Sequence, residues 1–415
     1  MEFLGLGIPL YNHPVRVLLL NLYYPPDTSA TAKMAQTVVE ALASKHEVTV
    51  LCGRPSYDPS ERRPWRLYQS EQYGRVRVLR VGSSDYLRTQ MKKRVFNYLS
   101  YVFLAVPRAL FLPCDLVLAM TDPPFEGIVG AFVALLKGKH YVYNIRDMYP
   151  DMAVGGSIVK PGLLARIWER MHRWALRRAT RVVVLGEDMR NRILAKGVNP
   201  PSVVVVRDGT EIKSDSSSPS ALDLEVVRAI RGDFRFVLLH AGNLGFYGAW
   251  DTLLSGISNL AEEGVGLVFV GDGAQRARLE AAAANLPNVR FLPFFPGSKI
   301  PSVLAAPDVH VITVKRGLEG VVVPSKMYGI LAAGKPIVAV ALRECDVVSI
   351  GEAKGFSVFA DPDNPAGFTE VVRNLSHNPQ KLQVMGQAAL DTAPEYNRDT
   401  ELRKLVQIIE AAASR

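Results

Sequence analysis

The sequence predicts an α/β protein of two doubly wound domains facing across a cleft, and three observations carry that prediction. The chain has 415 residues, too many for one compact core and suited to two domains of roughly 100–200 residues each. Short β-branched runs alternate with longer segments of helical periodicity from end to end, the pattern of βαβ units and parallel sheets. After Val206 comes RDGTEIKSDSSSPSALD, poor in large apolar residues, which reads as a linker. The expected division is a first domain at 1–210, a linker at 211–222 and a second domain at 223–394.

Strands of the first half are expected at 15–20, 48–52, 76–81, 116–120, 141–145, 182–185 and 203–206, and those of the second at 236–240, 266–270, 289–292, 309–314, 337–340 and 356–359. Each is a continuous apolar run, as a strand covered by helices on both faces requires. Open sheets of this kind bind ligands beyond the carboxyl ends of their strands, so function belongs in the cleft. The first strand leads through YYPPDTSATAKM to a helix with Met34, Val38, Val39 and Leu42 on its apolar side. Thr28 or Ser29 can cap it, and its free first amides suit an anion or a hydroxyl-rich ligand, although every βα unit has such a loop.

Composition excludes several classes. With 48% apolar and 21% charged residues the chain is an ordinary globular protein, neither disordered nor fibrous. Three scattered cysteines, Cys52, Cys114 and Cys345, make neither a disulfide framework nor a thiolate zinc site, which points to a reducing, cytoplasmic compartment. The net charge of +9 is uneven: residues 1–220 hold 30 Lys and Arg against 19 Asp and Glu, the remainder 19 against 21. A basic half suits anionic lipid, an acidic substrate or nucleic acid, or is a solvated face; no interleaved basic and aromatic motif supports nucleic acid.

Residues 1–14 lack the basic start and apolar core of a signal peptide, so export is not expected. The most apolar stretch, 96–120, is broken by Pro107, Arg108, Pro113 and Asp115 and cannot span a bilayer. Lys92, Lys93 and Arg94 nonetheless lead into Phe96, Tyr98, Tyr101 and Phe103, which suits a helix lying in a membrane interface; a core-facing helix with a basic cap is the other reading. Arg166, Arg170, Arg173 and Arg177 recur at helical intervals, a second face for anionic lipid or for solvent.

The second half carries the chemistry. In FVLLHAGNLGFYGAWD, Gly242, Gly245 and Gly248 punctuate the turn from a strand into a helix, and VFVGDG repeats the device with Gly271, Asp272 and Gly273. Glycine lets backbone approach a phosphate, but neither stretch is a dinucleotide or P-loop motif. In VKRGLEGVVVPSKMYGILAAGKP, Pro324 is expected as the first helical residue, with Ser325 and Lys326 in the first turn and Gly334 ending the helix after about three turns. Lys315, Arg316 and Lys326 with free amides of Gly320, Val321, Val322 and Val323 suit a diphosphate, and Glu319 suits sugar hydroxyls. The same residues also suit a merely capped helix.

In their order, YYPPDTSATA, HEVTVLCGRPSY, TDPPF, VYNIRDMYPD, HAGNLG, VFVGDG, VRFLPFFP and LEGVVVPSKMYGILAAGKP resemble glycosyltransferase family 4 over nearly the whole chain, and within it fucosamine transferases of bacterial O-antigen and capsule clusters. The resemblance implies the GT-B fold, two Rossmann-like domains with nucleotide-sugar on the second and acceptor on the first, the terminal helix at about 395–415 packing back on the first, and retaining transfer with no metal or other cofactor. It implies Gly242, Asn243 and Gly245 at the donor diphosphate, Phe295 and its neighbours at the base and Glu319 at the donor sugar. Thr28, Ser29 and Ala30 resemble the acceptor loop, and Arg146 and Asp147 stand where relatives place a catalytic His or Asp.

Two departures stand out. The family's second glutamate, eight positions on, is Met327 here, and GNLGFYGAWD lacks basic residues, leaving Lys315, Arg316 and Lys326 as substitutes. The partners implied are a UDP-sugar donor, a glycan or polyprenyl-diphosphate-linked acceptor and the inner face of the plasma membrane, with no nucleic acid. A soluble acceptor, or a silent glycosyltransferase-like scaffold, is the alternative.

Overall fold

In a computed structural model, residues 13–56, 61, 64–86, 93–211 and 222–414 are described. Tyr57, Lys92, most of residues 1–14 and nearly all of the linker lie outside them. The first sheet contains β1 (Arg16–Leu20), β2 (Glu47–Cys52), β3 (Tyr68–Tyr73), β4 (Val76–Val81), β5 (Leu116–Ala119), β6 (His140–Asn144), β7 (Arg181–Val184) and β8 (Val203–Val205). Its order is β3-β4-β2-β1-β5-β6-β7-β8. All pairings are parallel except that of β3 with β4. The sequence reading missed β3 because YQSEQY is polar; it is an edge strand, largely solvated, and needs no apolar run.

The second sheet contains β9 (Phe236–Ala241), β10 (Val265–Val270), β11 (Val289–Leu292), β12 (Val309–Thr313), β13 (Ile337–Val340) and β14 (Ser357–Ala360). It is wholly parallel in the order β11-β10-β9-β12-β13-β14, the Rossmann order 3-2-1-4-5-6. Strand order reverses between β9 and β12 and, in the first sheet, between β1 and β5. The loops leaving these four strands therefore flank the two crevices where such sheets bind ligands. They carry YYPPDTSA, TDPPF, the HAGNLG loop and the stretch from Lys315 to Lys326.

Two helix starts lock the halves together. Asp346, at the start of helix Asp346–Lys354, accepts from the amides of Glu187 and Asp188 at 3.1 Å each and from Arg207 at 3.1 Å. Asp188, in the first turn of helix Glu187–Ala195, accepts in return from the Asp346 amide at 3.3 Å. Each carboxylate thus satisfies otherwise unpaired amides of the opposite helix. Helix Arg398–Ala413 returns to the first sheet, burying Leu405, Val406 and Ile409 against Val15, Val17 and Val39.

Candidate active site

On the second domain the cleft wall is mostly backbone. Gly242 and Gly271, with φ of +142° and +144°, sit at the ends of β9 and β10, and a Cβ on Gly271 would lie 2.0 Å from the Gly242 carbonyl oxygen. That contact excludes any side chain. The Gly242 amide donates to Val270 at 2.8 Å, the Leu244 amide to Asp272 at 2.9 Å, and Trp250 Nε1 to Gly245 at 2.7 Å. The Asn243 carbonyl accepts from the Tyr247 hydroxyl and the Gly273 amide donates to the Asp272 carboxylate. Phe294, half exposed, is the aromatic beside Gly271. Phe295 instead packs under the cluster around Val226 and Ile230, because adjacent residues of an extended chain point to opposite sides.

Lys326 points into this wall. Its Nζ lies 3.1 Å from where a Cβ of Gly242 would be and 3.0 Å from Nε2 of the fully buried His240. His240 Nδ1 faces the Val311 carbonyl at 3.2 Å, so Nδ1 carries the proton and Nε2 accepts from the lysine. Burial, and then Lys326, hold His240 well below the usual histidine range. Burial brings Lys326 down to about 7. No carboxylate among the described residues pairs with it, so the amine stands beside glycine backbone without a counter-charge. His240 was not singled out from the sequence, where it looks like part of an apolar strand; a polar residue ending a buried strand before a glycine loop was the available signal.

The loop between β12 and the next helix differs from expectation in three respects. The helix is Lys326–Ala332, about two turns, and begins after Pro324, which sits in the preceding turn and accepts from the Met327 amide at 3.2 Å. Of the four expected free amides, those of Val321 and Val322 donate to the Leu318 carbonyl. Those of Gly320 and Val323 have no backbone acceptor among the described residues. Arg316 is exposed and paired with Asp361 and Asp363, which leaves the exposed Lys315 and Lys326 as the cations of this loop. Glu319 accepts from the Gly317 amide through both carboxylate oxygens at 2.9 Å, and its carbonyl is held by Arg192 of the first domain at 2.8 Å. Ser325 is exposed and makes no side-chain cap.

Across the cleft the wall is made of ionisable side chains. Asp147 follows β6, and the Met148 amide beside it donates to Val321 at 3.2 Å, which brings it to the loop after β12. Burial, and then the charge of Asp122, push the Asp147 carboxyl up to about 6. Arg146 is paired with Asp208. Asp122, of TDPPF, is raised by its own burial and eased by a Thr31 hydrogen bond and Arg94, while Arg94 reaches the Tyr23 hydroxyl at 3.0 Å. Ser29 caps helix Ala30–Ala43 by accepting from the Ala32 amide, and Thr28 and Ala30 beside it are exposed. Asp122 and Arg94 were missed as site residues because their nearness to Asp147 and Tyr23 is made only by the fold. Among the described residues no three His, Cys, Asp or Glu side chains form a metal-binding group.

Residues 29–209 match the glycosyl transferase 4-like domain family, and residues 230–392 match glycosyl transferases group 1. The chain is a GT-B glycosyltransferase. It is 25% identical over 400 residues to the colanic acid biosynthesis glycosyl transferase WcaI of Escherichia coli, covering 92% of this chain and 97% of that one. It is 27% identical over 267 residues to the glycosyltransferase WbjE of Pseudomonas aeruginosa, covering 63% and 66%. The glycosyltransferase shares its fold with Anabaena HepE, solved with UDP-glucose, at a TM-score of 0.68 and 17% identity over 95% or more of both chains.

Proposed function

We propose that this glycosyltransferase moves a sugar, with retention of anomeric configuration, from a UDP-sugar to a lipid-linked glycan in bacterial surface polysaccharide synthesis. The carrying observation is Lys326, a half-buried amine without a carboxylate partner among the described residues, aimed at the glycine wall of Gly242 and Gly271. A diphosphate supplies the missing counter-charge, and its oxygens accept from the free amides of the neighbouring loop. Departure of a nucleoside diphosphate develops negative charge there, so stabilising the leaving group is the main catalytic demand. Phe294 offers its face to the base, and Glu319, pinned at Gly317 and by Arg192, offers its carboxylate to sugar hydroxyls.

The acceptor hydroxyl enters from the wall of Asp147, Asp122 and Arg146, and substitution proceeds on the front face without a covalent enzyme intermediate. The UDP-glucose bound by HepE and the polysaccharide named for WcaI support the donor class and the pathway; the sugar proposed is an N-acetylated hexosamine or deoxy-hexosamine. The lipid-linked acceptor brings the protein to the inner face of the plasma membrane, which helix Arg94–Phe111 contacts; no helix among the described residues is long and apolar enough to cross it.

A thermal-shift panel of nucleotides and nucleotide-sugars on wild type and Glu319→Ala tests the donor assignment, because a ligand bound only by the folded state raises the melting temperature. UDP is expected to stabilise both proteins, with a further sugar-dependent increment lost in the variant. No response to any nucleotide would sink the reading in favour of a silent scaffold.

A further inference from the structure

Helices Arg94–Phe111, Glu126–Lys137 and Leu163–Arg178 lie side by side on the first sheet, and each turns apolar side chains outward. Phe103 and Phe111 are 79% and 82% exposed, Leu164 is 80% exposed, and Phe132, Leu136 and Ile167 are exposed beside them. A continuous apolar surface across three helices is more than solvent alone accounts for in a monomeric protein. Between the helices runs a groove of about 790 Å³ walled by Val106, Ile128, Phe132, Met171 and Trp174, with Arg170 as its charged lining residue. A second hollow, of about 710 Å³, shares Arg170 and Trp174 and is lined further by Arg166, Arg173, Arg177 and Arg178. Glu169, the carboxylate there, is taken up by Lys196 and Arg173. Arg166, Arg170, Arg177 and Arg178 have no carboxylate partner among the described residues.

A hydrocarbon slot opening into an arginine hollow matches a chain bearing a phosphate, by apolar burial at one end and charge at the other. The position of the arginines decides which lipid. Arg177 and Arg178 end their helix just before β7 begins at Arg181, at the amino end of that strand, whereas the cleft lies beyond the carboxyl ends. A phosphate held there is on the far side from the reacting hydroxyl, so the occupant is not the acceptor. We propose that groove and hollow together seat one anionic phospholipid of the bilayer, its acyl chain between the three helices and its phosphate on Arg170, Arg177 and Arg178. The seat rests on the membrane reading above but not on the transfer chemistry.

The full chain is mixed with phosphatidylcholine vesicles, with or without phosphatidylglycerol, carrying brominated acyl chains that quench tryptophan on contact. Binding is expected to require phosphatidylglycerol and to quench Trp174, with the quenched component absent from Trp174→Phe. Ile128→Phe and Val106→Phe, which fill the groove while leaving the arginines, should bind with that quenching lost. Arg170→Ala with Arg177→Ala should bind about 30-fold more weakly, the equivalent of about 1 kcal/mol for each arginine. UDP binding by every variant reports that it is folded. Vesicle binding without Trp174 quenching, or equal binding to zwitterionic vesicles, overturns the seat alone. Displacement of the vesicles by a short-chain prenyl phosphate transfers the seat to a carrier lipid and overturns the assignment. No vesicle binding by protein that still binds UDP overturns the seat and the membrane reading together, leaving the donor reading in place.

Discussion

On the proposed donor side of the cleft the wall is glycine backbone, interlocked at van der Waals limits and carrying one half-buried lysine, whereas on the proposed acceptor side it is carboxylates and arginines set among tyrosines. The donor wall has no room for a methyl group at Gly271. The acceptor wall has carboxyls that burial raises, Asp122 and Asp147, the latter to about 6. A diphosphate is the same in every nucleoside diphosphate sugar, so its seat can be built from fixed amides. An acceptor hydroxyl has to be oriented and its proton handled, which is work for side chains. Lys326 apart, volume changes should therefore damage the donor side and charge changes the acceptor side.

The largest effect expected is from Gly271→Ala, whose methyl meets the Gly242 carbonyl oxygen and strains a positive φ. UDP affinity should fall several hundredfold, about 3–4 kcal/mol, by calorimetry. Gly297→Ala, where the added carbon meets nothing within 4 Å, should change neither affinity nor melting temperature. Asp147→Asn, nearly equal in volume, should leave UDP affinity intact and lower kcat about a hundredfold; an equal loss of UDP affinity would break the contrast between the walls.

Lys326→Met should act in opposite directions on stability and function. It removes a charge that burial disfavours, so the melting temperature rises, while UDP affinity falls about tenfold or more for loss of a charge-assisted contact. Because the folded lysine titrates at about 7, below its unfolded value, the unfolded chain holds the extra proton above pH 7. Wild-type stability therefore rises with pH from about 7 towards 10 through this group, a rise the variant lacks. Smaller but diagnostic is the pH profile of kcat/KM. Activity should fall as pH drops through about 6, where Asp147 takes up a proton, and as pH rises above about 7, where Lys326 loses one. Asp147→Asn should abolish the acid limb and Lys326→Met the alkaline one.

Much of the fold was legible because parallel strands buried on both faces are continuous apolar runs, and β9 to β14 all fall within two residues of their expected bounds. The polar edge strand β3 has no such signature. In the site, the glycines and Lys326 were legible from motif and local order. What was not legible depends on long-range packing: Arg316 is claimed by Asp361 and Asp363, some 45 residues on, and Asp122 meets Asp147 only through the pairing of β5 with β6. His240 was hidden because a buried histidine in an apolar strand reads as core until its Nε2 is found against Lys326. The choice between Phe294 and Phe295 turned on a single residue of register.

Calorimetric titration of UDP into wild type and Lys326→Met, in two buffers of different ionisation enthalpy near pH 7.5, tests the donor seat most directly. A diphosphate seat at Lys326 predicts tight binding by wild type with net proton uptake, as the diphosphate draws a proton onto Lys326, and binding at least about tenfold weaker without uptake by the variant. Equal affinity in the two proteins, or no heat with UDP at all, would contradict it.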